Sequence, residues 1–223
     1  MKKHVQTVLL FILVGMFLLG ATSCSLLTGS AENNAPTATP DPNATLPPQQ
    51  VVDAAYSLYE KDDFSIQYHE KWMVKKNLSN DETINLDKSE VAFTIPEGMK
   101  VSETDTGRVY PMLTVFKFKI EEDQVENFDL ATYVSDQVKY LEIKLYQFTL
   151  LQEVTQVQIG DKTAFSISYI GSVHNTNEVR VKQTFLTNGT NVYVITYGAD
   201  ADFYKNENYL KIADKMTQSF VLK

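Results

Sequence analysis

The sequence predicts an α+β domain in which helices pack on an antiparallel sheet. Three observations predict it. Apolar and polar residues alternate along 56–59, 64–68, 91–95 and 113–120, the period of a half-buried strand. Between 128 and 146 the period changes: Leu130, Val134, Val138, Leu141 and Leu145 fall three and four apart, one stripe of an amphipathic helix. Val192-Tyr193-Val194-Ile195-Thr196-Tyr197 is apolar on both faces, so its sheet needs cover on both sides.

The elements follow in order. Tyr56–Tyr59 and Phe64–Tyr68 read as two short strands around the polar turn Glu60–Asp63. Trp72 then plugs one end of the core. Asn77–Asp87 is polar and loops out; Val91–Ile95 is a strand halted by Pro96 and Gly98; Met99–Val109 reads as a mobile loop. Leu113–Ile120 is a longer strand with Lys117 and Lys119 on its wetter side. Asn127 or Asp129 can cap the helix that follows. Thr149–Val157, Ala164–Ile170, Val179–Leu186 and Val192–Tyr197 are strands, with a turn at Gly160-Asp161. Asn188-Gly189 predicts a tight hairpin turn built on positive backbone angles. Tyr209, Ile212, Ala213, Met216 and Phe220 form the stripe of a last helix.

Ahead of this body the composition is different. Met1-Lys2-Lys3-His4 is basic, Val5–Leu19 is apolar and uncharged, and Gly20, Ala21 and Ser23 are small: the three-part plan of a secretory signal peptide. The apolar run is shorter than the roughly 20 residues of a spanning helix. Ala21-Thr22-Ser23-Cys24 resembles the lipobox of bacterial lipoproteins, although such boxes more often open on Leu. The resemblance implies diacylglycerol on Cys24 and cleavage just before it. An ordinary signal peptide with an incidental cysteine, or a retained spanning helix, are the alternatives. Two acyl chains hold where one only binds reversibly, at about 0.8 kcal/mol per buried methylene.

From Ser25 to Gln50 the chain holds five of its seven prolines and no apolar period, so nothing offsets the entropy of ordering it. It reads as a disordered, partly polyproline spacer, reaching about 30 Å as a coil and about 90 Å extended. The expected organisation is a signal peptide over 1–23, a lipidated cysteine and disordered linker over 24–52, and a single α+β domain over 53–223. Losing the leader removes two lysines and no acid, so the formal net charge falls from −8 to about −10. That balance disfavours nucleic acid as a partner. With one cysteine in the chain, an intramolecular disulfide and a thiolate metal site are excluded. Stability rests on a packed core, for which about 170 residues suffice.

Phe64-Ser65-Ile66-Gln67-Tyr68 before Trp72, Ala164–Tyr169 after Gly160-Asp161, and Val192–Tyr197 leading to Ser219-Phe220 resemble the PsbP/Mog superfamily. The likeness covers Tyr56 to Val221. It implies an α-β-α sandwich with a central antiparallel sheet. The family's usual Pro and Gly before the tryptophan are replaced by His69-Glu70-Lys71, and no family binding motif maps onto named residues.

Catalytic patterns are missing. His69-Glu70 opens like a zinc-protease motif, but the fifth residue is Met73. No Gly-x-Ser-x-Gly turn and no glycine-rich phosphate loop occurs. Glu121-Glu122-Asp123 with Glu126 and Asp129, and Asp200 with Asp202, are the densest acidic groups; Asp129 suits a cap, and the second group suits the start of the last helix. Trp72, His69 and His174 are the candidates for ligand contact, and Cys24 for lipidation. The sequence therefore predicts no catalytic residue, no metal and no cofactor. It predicts a non-enzymatic envelope lipoprotein, held to the membrane by lipid and presenting a binding or assembly domain to a protein partner. The alternatives are a carrier for a lipid, glycan or small ligand, and an envelope hydrolase using His69 or His174 with a carboxylate.

Overall fold

Alternating β-branched and aromatic residues build most of the molecule. In the computed structural model the residues described are 55–75, 89–95, 109–172 and 178–223. The expected lipidation site Cys24, the leader and linker, the loop at 77–87, the strand stop at Pro96 and Gly98, and His174 lie outside them, as does nearly all of the loop expected at 99–109.

Seven strands make one sheet in the order β3 (Met73–Lys75), β4 (Ser89–Thr94), β5 (Met112–Lys119), β9 (Asn191–Asp200), β8 (Val179–Thr187), β7 (Lys162–Ser172) and β6 (Tyr146–Ile159). Every neighbouring pair is antiparallel. β1 (Tyr56–Glu60) and β2 (Phe64–His69) do form the predicted hairpin, but it stands apart from the main sheet. They form a three-stranded sheet with β10 (Val221–Leu222), β2 in the middle. Alternation fixes which face of a strand is apolar, not which sheet it joins.

Helix α1 (Leu130–Lys144) covers one face of the main sheet: its Val134 and Leu141 pack with Phe116, Ile167, Phe185 and Val194. Helices α2 (Ala201–Tyr204) and α3 (Glu207–Gln218) and the small sheet cover the other. There Ala213, Met216 and Phe220 join Phe64, Ile66, Val115, Tyr193 and Ile195. β9 feeds both layers, Val192 and Val194 to one and Tyr193, Ile195 and Tyr197 to the other. This is the predicted α-β-α sandwich, and it explains why β9 is apolar on both faces.

Local chemistry sets the ends. Asp129 caps α1, its Oδ2 accepting from the Thr132 N–H at 2.8 Å and from the Thr132 hydroxyl at 2.6 Å. The β8–β9 turn differs from the expectation: of Asn188 and Gly189 only Gly189 has positive φ, at 93°. The Asn188 side chain supplies the rest, its Oδ1 accepting from the N–H groups of Thr190 at 3.2 Å and Asn191 at 2.8 Å. Asp200 and Asp202, expected to open the last helix, open the short α2 before it: Asp200 ends β9 and stands at the N-cap position of α2, but its side chain caps no helix N–H. The Asp200 Oδ1 accepts the Val109 N–H at 3.0 Å, and its own N–H donates to the Val109 carbonyl at 2.8 Å.

Candidate functional site

β2 ends at His69, and the chain turns at once into β3. The Trp72 N–H donates to the His69 carbonyl at 2.8 Å, and the Glu70 N–H to the Ala55 carbonyl at 3.0 Å. This tight turn tucks Trp72 inward until 4% of it is exposed, so the expected plug at one end of the core is in place. The Lys71 N–H donates to His69 Nδ1 at 3.2 Å. That fixes the imidazole, leaving Nε2 as the nitrogen that carries the proton in its neutral form. The ring also meets Tyr56 edge-on at 5.2 Å, and the Lys215 ammonium sits 4.5 Å from the centre of the Tyr56 ring.

The start of α3 faces this turn. Asn206 caps the helix, its Oδ1 accepting the Asn208 N–H at 3.1 Å. Tyr209 and Ile212 lie on the flank of the stripe whose centre, Ala213 and Met216, is buried. Between the two walls is an open cleft of about 270 Å³. His69, Lys71 and Trp72 line one side, Asn206, Asn208, Tyr209 and Ile212 the other, and Ile95 from the end of β4 completes it. No carboxylate is among these lining residues. Side-chain N–H and O–H donors sit over an aromatic and aliphatic base.

Of the residues singled out in the sequence, His69 and Trp72 therefore meet in one cleft, while Cys24 and His174 lie outside the described residues. The sequence does not mark Lys71, Ile95, Asn206, Asn208 or Ile212 as site residues, and it offers Tyr209 as part of a helix stripe and as one of many tyrosines that could line a ligand groove. The two walls are far apart in sequence, and no local pattern joins them. Among the described residues no three His, Cys, Asp or Glu side chains converge as metal ligands do. Among them, too, no helix is long and apolar enough to cross a membrane.

Two other polar groupings are structural. A smaller pocket of about 160 Å³ between β6–β8 and α3 is spanned by Lys182 and Asp214, 2.7 Å apart, which neutralise each other. Asp63, in the β1–β2 turn, accepts from Lys117 Nζ and, at 2.7 Å, from the Tyr193 hydroxyl. Burial raises the Asp63 pKa, but the hydrogen bonds from Lys117 and Tyr193 outweigh it and hold the carboxyl below its ordinary value. Burial first, then the bond to Asp63, pushes the Tyr193 hydroxyl well above its ordinary range, so it remains a donor.

No protein-family model matches the chain, and no curated protein matches it. Solved structures do, and they show a PsbP-like fold. The cyanobacterial PsbP, CyanoP, of Synechocystis sp. PCC 6803 is similar over 82% of this chain and 100% of its own, with 14% identity and a TM-score of 0.52. LpqN of Mycobacterium tuberculosis, involved in cell envelope biogenesis, is similar over 75% of this chain and 90% of its own, with 12% identity and a TM-score of 0.53. The Saccharomyces cerevisiae Ran-binding protein Mog1p superposes more loosely, with 11% identity and a TM-score of 0.45 over 75% of this chain and 95% of its own.

Proposed function

We propose that the chain is a lipid-anchored protein of the bacterial cell envelope, whose PsbP-like domain is held off the membrane to bind or help assemble an envelope partner. One observation carries this reading: the chain's single cysteine, Cys24, stands directly behind an uncharged apolar run and three small residues. In this reading residues 1–23 are the leader, 24–52 the anchor and spacer, and 53–223 the displayed domain. That LpqN, a protein of similar fold, is involved in envelope biogenesis supports the setting. The absence of catalytic spacing in the sequence supports a binding role over an enzymatic one.

The first test follows the thiol. An acyl probe fed to cells labels the wild-type protein, which partitions into detergent; Cys24→Ser abolishes the label and moves the protein to the aqueous phase. An unlabelled wild type that behaves like Cys24→Ser rules the anchor out. Pull-down from solubilised envelopes then recovers a stoichiometric partner, and recovery of abundant bystanders alone counts against the assembly role. A second reading, a binding domain for a small ligand, is favoured by the cleft that brings His69 and Trp72 together.

A further inference from the structure

We propose that the cleft between the β2–β3 turn and the start of α3 binds an acidic sugar, a single pyranose-sized ring bearing a carboxylate or phosphate. The inference rests on the small-ligand reading and is independent of the lipid anchor. Size is the first argument. At about 270 Å³ the cleft lies just under the roughly 300–1,000 Å³ that hold drug-sized ligands, so it takes one ring and its substituents. It is open rather than a closed apolar tunnel, which argues against an acyl chain. Charge is the second. The chain carries 28 acidic against 20 basic residues, yet among the described residues no carboxylate lines the cleft, while Lys71 and His69 do. An anionic group there meets the Lys71 ammonium as a charge-assisted donor, with the neutral His69 imidazole beside it.

The third argument is the arrangement of the remaining groups. Half-buried Tyr209 offers ring surface to the C–H face of a sugar, and the 4% of Trp72 that stays exposed adds apolar contact beside it. Asn208 on one wall and the His69 imidazole on the other offer polar atoms to ring hydroxyls. Asn206 spends its Oδ1 on the cap, which leaves its amide N–H groups as donors. A divalent cation finds no carboxylate among these lining residues, and a wholly apolar ligand would leave the donors unmatched.

Trp72 is the only tryptophan in the chain, so its emission reports on this cleft alone. The full chain in detergent is titrated with glucuronate, glucose 6-phosphate, glucose and inorganic phosphate, with calorimetry alongside. The two acidic sugars change the signal saturably with midpoints at or below about 1 mM, and glucose binds at least about tenfold more weakly. Lys71→Ala, an exposed position, loses about tenfold for the acidic sugars and leaves glucose unchanged, while Asn208→Ala weakens all three sugars. Glucose binding as tightly as glucuronate overturns the acidic preference. Inorganic phosphate matching glucose 6-phosphate shows an anion site without sugar recognition and overturns the proposal. No saturable heat or emission change from either acidic sugar up to about 20 mM also overturns it. A silent titration leaves acylation of Cys24 standing, so the two readings fail separately.

Discussion

Asp63 is where a single side chain joins the two sheets. It stands in the turn of the small sheet, while Lys117 and Tyr193, which donate to it, stand on β5 and β9 of the large one. Its side chain is 24% exposed and that of Lys117 31%, so the ion pair is only partly screened by water. Asp63→Asn keeps the shape and removes the charge. At neutral pH it is expected to destabilise the protein by about 1.5–3 kcal/mol, the range for hydrogen bonds to charged groups. The pH dependence has a definite sign. A carboxyl whose folded pKa is depressed contributes fully above its unfolded value of about 3.9 and loses that contribution as pH falls through the folded value. Urea melts of wild type and variant should therefore differ by a constant amount from neutrality to about pH 5 and converge below about pH 4. A difference that stays flat through the acid limb would mean that the Asp63 charge plays no part.

The β8–β9 hairpin shows how an element divides its task between two residues. Gly189 adopts φ 93°, which L side chains rarely take, with nothing near the place where a Cβ would stand. Its cost on substitution is thus conformational rather than steric. Gly189→Ala is expected to lose about 1–2 kcal/mol in denaturant melts. A neutral result would show that the turn relaxes freely into another type. The turn's existence was legible because Asn-Gly between two apolar runs has few other uses, but its geometry was not, since the Asn188 side chain replaces the second positive angle. The same division runs through the fold. The strands, α1 and α3 were legible because their periods extend over many residues. β3, α2 and β10 were not, because two to four residues show no period. Gln137 on the buried face of α1 was not legible either, since a glutamine does not register in an apolar stripe. For the cleft, the sequence offered His69 and Trp72 as neighbours in a turn; the wall from α3 becomes visible only when the tertiary fold brings it across.

At the scale of the whole molecule, the described chain closes on itself. The last residues return to the first hairpin: β10 pairs with β2, and the Lys223 N–H donates to the Asp63 carbonyl at 3.0 Å. Phe220, 1% exposed, stacks on Phe64 at 5.2 Å between ring centres and lies 5.9 Å from Tyr193 of the main sheet. One ring therefore touches the small sheet and the large one together. The main sheet is equally non-local, since its β5–β9 pairing sets Met112 against Gly198. These connections predict one cooperative transition rather than an early loss of the β1–β2–β10 sheet. Phe220→Ala should cost about 3–5 kcal/mol, as buried phenylalanines do. Against a total of about 5–15 kcal/mol that is a large share. At about 2–4 °C per kcal/mol for a domain of this size, the melting temperature should fall by roughly 6–20 °C. Phe220→Leu, which keeps most of the apolar volume, should recover part of it. Far-ultraviolet dichroism and Trp72 fluorescence follow different parts of the fold, the first the sheets as a whole and the second the turn after β2. Coincident, shifted melts by both probes are the expected result. If fluorescence were lost well before the dichroism in Phe220→Ala, the small sheet would be an independently melting appendage, and the closure of chain end on chain beginning would not be what holds the cleft together.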